Sequence, residues 1–457
     1  MTLVTAMLER MGANTPLSVM AVVLIDNALD PKYIDAIFDD YATKQYTRSL
    51  LFSCLVEAMT FVSLRFFKSP RAYFLAYEEL FSVTLKSFYE KLQNVELVVI
   101  RELVKDNARR LGEVIGHLGS ERSPLLTGLR IKILDGNALA GTHHRLKELR
   151  RITSAALPGK TLVVLDPQSR LIIDIIPCED GHAQERSLLD DVLETICVDD
   201  LWIEDRNFCT TGFIVGVVLK GGHILVRQHK GLPAEYIGQL EYVGEDASGK
   251  VYHRQVRVQT EEAGVQLRQV VLRLNEPTQD GEMEVSLICS VPEDKASSLV
   301  LVDLYLKRWT IEQAFNLMTT ALKCEHESLG YPKAALFGFA MTVLGYNVLA
   351  TIQAALASVH GEEKVEKEVS LAKITETTTR EVPGLRKMLK DEEWEQFQHL
   401  GAKELAEQLK TWAAQVNLKT IKKAPTRKGK KKKTKKLKHD KSKPHVSTAK
   451  LLEQRRK

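Results

Sequence analysis

The chain predicts an α/β protein: a short mixed core, split by a β-rich insertion and flanked by helical regions. Three observations predict it. Apolar residues recur at helical spacing over most of residues 1–125. Past Pro124 the period changes to brief apolar runs, two of which end on acids. From Gly222 to about Pro292, Gly and Asp turns separate runs of strand composition. The resulting partition is a helical region over 1–125, a first part of the core over 126–221, the insertion over 222–294, a second part of the core over 295–360, a further helical region over 361–421, and a low-complexity basic tail over 422–457.

Taken in order, Tyr46–Leu64 and Ala72–Leu92 carry long apolar stripes. Leu97–Leu118 is amphipathic, and Arg101, Lys105, Arg109 and Arg110 make it the most basic helical cluster of its region. Pro70 and Pro124 punctuate the chain there. In the core, Ile131–Leu134 runs into Asp135. Thr161–Leu165 and Leu171–Ile176 are buried-type strands joined by the turn Asp166-Pro-Gln-Ser-Arg170. Ala183–Ile196 reads as a helix, Leu201–Glu204 runs into Asp205, and Cys209–Leu219 reads as a helix. The order is strand, strand, strand, helix, strand, helix. The insertion offers strands at His223–Arg227, Val251–Gln259, Val265–Leu274 and Met283–Val291. Leu304, Ile311, Phe315, Met318 and Leu322 then mark one helix. The apolar stretch Ala334–Val359 is broken by Tyr346, Asn347 and Gln353 and is read as a buried helix, not a membrane span. Residues 361–421 are charged and helical in pattern, with a break at Pro383-Gly384.

At 457 residues, with 44% apolar and 27% charged residues, the chain can bury a full core. Cys54, Cys178, Cys197, Cys209, Cys289 and Cys324 are scattered, with no Cys-x-x-Cys pair. That argues against a zinc site or a disulfide framework and fits a reducing cytoplasm. Glu9 and Arg10 break the first apolar run, so the N-terminus lacks signal-peptide order. Charge is unevenly placed. Residues 422–457 hold 17 Lys and Arg against Asp440 and Glu453, a net +15, whereas the whole chain is +5, which leaves the body at −10. With Lys430–Lys433 unbroken, the tail is expected to be disordered and to suit non-specific contact with nucleic-acid phosphates. Any such surface on the acidic body has to be a local patch.

At about 100° per residue, Tyr305, Arg308 and Glu312 fall within roughly 60° of each other, beside the apolar face of their helix. A guanidinium can hold a phosphate oxygen in a fork, and a carboxylate can hold a metal ion. Asp135 ends the first core strand and Asp205 the fourth, and strand ends of an open sheet gather at one edge where ligands bind. Glu312 would complete a three-carboxylate cluster. Three close carboxylates repel each other unless positive charge stands between them. Two Mg²⁺ ions about 3.5–4 Å apart would satisfy them and drive an in-line phosphoryl displacement. A bare Asp…Asp…Glu says little among 59 acids. Taken singly, Asp135 and Asp205 read equally well as turn residues. Glu312 with Arg308 reads as an i,i+4 helix pair worth a few tenths of a kcal/mol.

The context of each acid is more telling. Leu134-Asp135-Gly136, Leu157-Pro-Gly159, Asp180-Gly-His182-Ala-Gln-Glu185-Arg186-Ser-Leu188 and Asp200-Leu-Trp-Ile-Glu-Asp205-Arg206-Asn207-Phe208 follow in order, then Tyr305, Arg308, Trp309 and Glu312. In these motifs the chain resembles the DDE transposases of bacterial insertion sequences, in the subgroup named for Tyr-x2-Arg-x3-Glu-x6-Lys, at least from about Asp135 to Gly345. Gln45-Tyr46-Thr-Arg48-Ser-Leu-Leu-Phe52-Ser is similar to the family's opening region. The resemblance implies an RNase H-like core with the β-subdomain inserted between the second Asp and the Glu. It implies that Asp135, Asp205 and Glu312 are the catalytic triad and hold Mg²⁺, with Mn²⁺ able to substitute. Tyr305 and Arg308 would contact phosphates of the transposon end, and Trp309 would pack near a distorted end. The reaction would be hydrolytic cleavage at ends bearing terminal inverted repeats, then attack of the freed 3′-hydroxyl on target DNA. In some members it passes through a hairpin and uses base flipping. The implied assembly is a homodimer on paired ends, at the bacterial nucleoid in the cytoplasm and not on a membrane, with residues 1–125 as a DNA-binding region.

One position departs from the pattern: the family Lys seven residues after Glu312 is Thr319. Lys323 lies one turn further, at nearly the angular position of Glu312, and is the expected substitute in binding DNA. Asp166 and Asp174 are expected to be structural, His182 and Glu185 to serve capping and packing, and His143-His144 to be solvated. Trp309 also reads as core packing. Two other functions stay open: a catalytically retired DNA-binding protein, which Thr319 mildly favours, and a metal-dependent nuclease without strand transfer.

Overall fold

The computed structural model describes residues 10–45, 49–119, 124–139, 156–278, 281–324, 326, 329–389, 391–424 and 446–456. Residues 46–48 of the opening motif, His143-His144 and Lys430–Lys433 lie outside the described residues.

Six helices come first: α1 (Pro16–Ala28), α2 (Pro31–Tyr41), α3 (Phe52–Ser63), α4 (Pro70–Ala76), α5 (Leu85–Leu92) and α6 (Leu97–Leu118). Their starts are written locally. Proline opens α1, α2 and α4, where a missing N–H costs nothing. Asp30, Ser69 and Thr84 cap α2, α4 and α5 by accepting from the N–H of Lys32, Ala72 and Ser87. Gly119 ends α6 at φ +60°, the left-handed turn that favours glycine. The buried stripe of α6, Ile100, Leu103, Val104, Asn107, Leu111, Val114 and Leu118, keeps helical spacing.

Nine strands build one mixed sheet. Its core half is β1 (Arg130–Leu139), β3 (Gly159–Leu165), β4 (Ile172–Cys178), β5 (Asp200–Glu204) and β6 (His223–Arg227); β2 (Ala156–Leu157) stands outside it. The insertion supplies β7 (Glu235–Glu245), β8 (Gly249–Gln259), β9 (Gly264–Leu274) and β10 (Glu284–Cys289). The order is β4-β3-β1-β5-β6-β10-β9-β8-β7. Strand β5 runs parallel to both β1 and β6, and the other neighbours are antiparallel. The insertion therefore forms no layer of its own. Strand β10 pairs with β6 through Leu287–Arg227, Ile288–Val226 and Cys289–Leu225, and so prolongs the core sheet. The helix expected over 183–196 is a 3-10 turn, Glu185–Leu188, followed by a short α7 (Leu189–Leu193).

Strand alternation gives the sheet two apolar faces. Leu134, Leu162, Val164, Trp202, Ile224, Val226, Val256 and Ile288 form one core beneath α7 and α8 (Thr211–Leu219). Ile133, Val163, Ile175, Ile203, Leu225, Val270 and Leu287 belong to a larger core on the other face. It takes in α1–α6 and the helices after the insertion: α9 (Ser298–Leu306), α10 (Trp309–Thr320), α11 (Pro332–His360), α12 (Glu362–Glu368), α13 (Leu371–Met388), α14 (Asp391–Gln398) and α15 (Ala402–Ala413). The two flanking helical regions thus share one interior with the sheet.

Helix α11 runs through that interior. It is the one described helix long and apolar enough to cross a membrane, at mean hydropathy 1.7, and that stretch is wholly buried. Its threonines Thr342 and Thr351 bond back to carbonyls of their own helix, and its asparagine reaches the sheet. Buried Asn347 accepts from the N–H of Ile172 at 2.9 Å and donates to the carbonyl of Ile172 at 3.0 Å and to Asn107 Oδ1 at 3.1 Å. One amide so fastens α11 to the start of β4 and to α6.

Two expectations are corrected, and the basic cluster of α6 is given its partners. The basic residues of α6, Lys105 and Arg109 of them exposed, are charge-paired: Arg101 forms a two-point pair with Asp174 of β4 at 2.9 and 2.8 Å, while Lys105, Arg109 and Arg110 pair with Glu102, Asp106 and Glu113 of their own helix. Helix α13 passes through Pro383 without a break. The tail assigned as disordered over 422–457 returns to the body at its end. Strand β11 (Val446–Ser447) pairs in parallel with β2, α16 (Thr448–Arg456) follows, and Lys450 meets Asp180 at 3.2 Å. Two strand residues are too few to leave a period in a lysine-rich sequence.

Candidate active site

Strands β1 and β5 are parallel neighbours in a register that sets Leu134 beside Glu204. Strand β5 stops at Glu204 but β1 runs on to Leu139, so Asp135, expected at a strand end, lies inside β1 opposite Val163; it sits where the pairing with β5 stops and Asp205 leaves the sheet, with strands about 4.8 Å apart. Alternation sends Leu134 and Glu204 to the opposite face. There Glu204 is wholly buried, neither of its oxygens has a hydrogen-bond partner among the described residues, and burial holds its carboxyl well above the usual range. Of the two adjacent acids Glu204 and Asp205, the second is thus the one that opens to the site.

The expected single helix over Tyr305–Leu322 is two. Helix α9 ends at Leu306 and α10 begins at Trp309, with Lys307 and Arg308 held by i→i+3 bonds to Leu304 and Tyr305 at 3.0 and 3.1 Å. Tyr305 stands in the last turn of one and Glu312 in the first turn of the other, where a carboxylate suits the helix dipole. They meet at Arg308. Its Nη2 donates to Glu312 Oε1 at 2.8 Å, and its Nη1 lies 3.6 Å from Asp135 Oδ2.

Electrostatics bind the group together. Burial pushes the Asp135 carboxyl up to about 6; the Gly136 N–H and Arg308 pull it down, and Asp205 and Glu312 push it up. All three carboxylates act on Arg308 as well. Burial opposes its charge, but Tyr305, Glu312, Asp205 and Asp135 outweigh that and hold the guanidinium above its ordinary value. Burial also raises the Tyr305 phenol to about 12, against the pull of the neighbouring Arg308. Trp309 is 52% exposed, which removes the core-packing reading. It stands on the rim of a cleft of about 410 Å³ that Asp205, Tyr305, Arg308 and Glu312 share with the apolar floor Leu272, Leu274, Val285 and Leu287. Across the cleft, Arg206 and Arg227 both grip Glu282.

The donor set suits a hard divalent cation: three carboxylates that need a positive charge between them. As the side chains stand, Arg308 supplies that charge. Among the described residues no three acidic, His or Cys side chains are gathered tightly enough for one ion.

The predicted Lys323 stays apart, as does Thr319, which stands at the family Lys position. Helix α10 ends at Thr320, so helical phase does not carry on to Lys323, whose ammonium donates to the carbonyl of Lys68 at 2.8 Å. Thr319 spends its hydroxyl on its own helix, donating to Phe315 O at 2.9 Å. One contact went unread. Glu185 lies over Gly136, where a Cβ would stand 2.2 Å from its Oε1, and Asn207 donates to its other oxygen. Gly136 after Asp135 was the available signal.

Residues 128–348 match the family model of the transposase DDE domain, a span that contains all of Asp135, Asp205, Tyr305, Arg308 and Glu312. No curated protein matches the chain. Among solved structures it is similar to the piggyBac transposase in a synaptic complex with hairpin DNA, at 10% identity and a TM-score of 0.40, over 85% of this chain and 86% of that one. So loose an overlap carries no residue from one chain to the other.

Proposed function

We propose that this chain is a DNA transposase of the DDE type, close to the Tyr-Arg-Glu-Lys subgroup of bacterial insertion sequences, working through the domain matched over residues 128–348. The observation that carries the reading is the convergence of Asp135 and Asp205, from the adjacent parallel strands β1 and β5, with Glu312 around a single guanidinium. An RNase H-like arrangement of the core agrees with β1, β3, β4 and β5 preceding the insertion.

Asp135, Asp205 and Glu312 would hold Mg²⁺ or Mn²⁺. When bound, such ions activate the attacking oxygen and stabilise the leaving one in an in-line displacement. The chain's own part is placement. Arg308, at the mouth of the cleft, forks a phosphate oxygen of the transposon end. Tyr305 keeps its proton, since its phenol is raised to about 12, and so acts as a donor to a phosphate oxygen. The exposed Trp309 ring offers a face to an unstacked base. Water attacks the phosphodiester at the element's end and the P–O3′ bond breaks. The freed 3′-hydroxyl then attacks a target phosphodiester, displacing its 3′ oxygen. Terminal inverted repeats, a homodimer on paired ends and a site of action at the nucleoid belong to this reading.

An end-cleavage and strand-transfer assay tests it. The full chain is incubated with the DNA flanking its own gene, with and without Mg²⁺, beside Asp205→Ala and Glu312→Gln. Metal-dependent nicking at the ends with joining to target is expected, and both variants should lose it by at least about a thousandfold. Binding without cleavage would support instead the retired DNA-binding protein, the reading that the self-bonded Thr319 favours. Nicking without joining would mark a nuclease.

A further inference from the structure

We propose that Arg308 is a resident counter-cation of the carboxylate centre, that metal ions and this guanidinium exclude each other there, and that DNA binding releases the block. The inference rests on the metal-holding reading of Asp135, Asp205 and Glu312.

Three features of the geometry point to it. Arg308 occupies the place a cation needs. Its side chain is 14% exposed, and its two terminal nitrogens reach Glu312 at 2.8 Å and Asp135 at 3.6 Å. With the guanidinium so placed, no three of the described ligating side chains are gathered for an ion, although their chemistry calls for one. Metal–oxygen bonds of about 2.1 Å need those carboxylates closer together than a planar group between them allows.

Second, the placement is incomplete. Arg308 Nε is buried with no acceptor, so one donor of the guanidinium goes unsatisfied where a carboxylate cage could have served it. Arg308 also lies at the junction of α9 and α10, outside both helices, where a change of a few dihedrals need not unwind either.

Third, an exit is at hand. The same guanidinium lines the cleft beside Trp309 and Tyr305. A phosphate there would offer it a two-point fork in exchange for its split contact with two acids. As Arg308 turns to the phosphate, the three carboxylates lose their internal counter-charge and their affinity for a cation rises. By linkage, a metal ion must tighten DNA binding by the same factor.

The test reads metal binding and not turnover. Mn²⁺ binding to the full chain is followed by electron paramagnetic resonance and calorimetry in the absence of DNA. Arg308→Gln is expected to bind Mn²⁺ about tenfold more tightly than the parent, within the usual range of coupling between sites. Arg308→Lys, which keeps the charge, is expected to stay near the parent. Arg308→Gln should also bind the end duplex more weakly in EDTA. If that variant folds poorly, the parent alone serves: an uncleavable end duplex should raise its Mn²⁺ affinity by about the same factor. Unchanged or weaker Mn²⁺ binding by folded Arg308→Gln, or no effect of the duplex on the parent, overturns the proposal. Asp205→Asn separates the two layers. Mn²⁺ binding that survives in this variant removes the metal reading itself, and binding that is lost there but unaltered by Arg308→Gln removes only the counter-cation.

Discussion

Asp135 carries a proton well above the range of an ordinary carboxyl, raised from 3.8 to about 6 chiefly by burial. Between those pH values the folded chain holds a proton that the unfolded chain has released. The stabilisation is therefore complete below about 3.8 and is lost as pH rises through about 6. Asp135→Asn removes the penalty that remains at higher pH. Denaturant unfolding in EDTA should find the variant more stable than the parent at pH 7.5, by on the order of 2 kcal/mol, with the gap closing toward pH 4. A gap of constant size at both pH values would contradict the burial argument. At this scale much of the site was legible. An acid after an apolar run, and an Arg and a Glu four apart, are local facts; that β1 would run on past Asp135 to Leu139 was not. Lys323 does not keep the helical phase expected of it, because angular phase holds only while the helix lasts, and α10 stops at Thr320. For Glu185 over Gly136 the glycine was the one local sign, since nothing else in the sequence ties a 3-10 turn to the middle of β1.

At the scale of elements, α6 shows what composition conceals. Its basic residues stood out as a cluster, yet each has an acidic partner, and the acids three and four positions away stood in the sequence. Arg101 does most, since its pair with Asp174 ties the helix to β4 with both side chains at 20% exposure or less. Breaking a partly buried pair leaves one charge stranded. Arg101→Ala should lose about 3 kcal/mol in urea unfolding while keeping the parent's affinity for DNA. Weakened DNA binding at parental stability would restore the surface role. The strands were readable from period and turn residues. What the period could not show was pairing: that β10 would join β6 and make the insertion a continuation of the core sheet is a long-range choice. The break at Lys307-Arg308 was equally hidden, because the apolar stripe passes straight through it.

At the scale of the molecule, a body of −10 carries a segment of +15. If that segment meets phosphates, replacing Lys430, Lys431, Lys432 and Lys433 with Gln should lower affinity for any duplex alike. It should also flatten the dependence of log K on log salt by roughly 0.9 for each lysine in contact. The paired end of the chain at β11 is untouched by these substitutions. An unaltered slope would show that the tail does not touch DNA. The central helix α11 has a consequence of another kind, in the making of the protein. Its sequence would pass for a membrane span, and it leaves the ribosome before α13 and α15, which pack on it. Helices α1, α3 and α6, also among its partners, are already made. By chain order alone, α1, α3 and α6 stand ready to cover this oily helix when it emerges, and α13 and α15 have still to come.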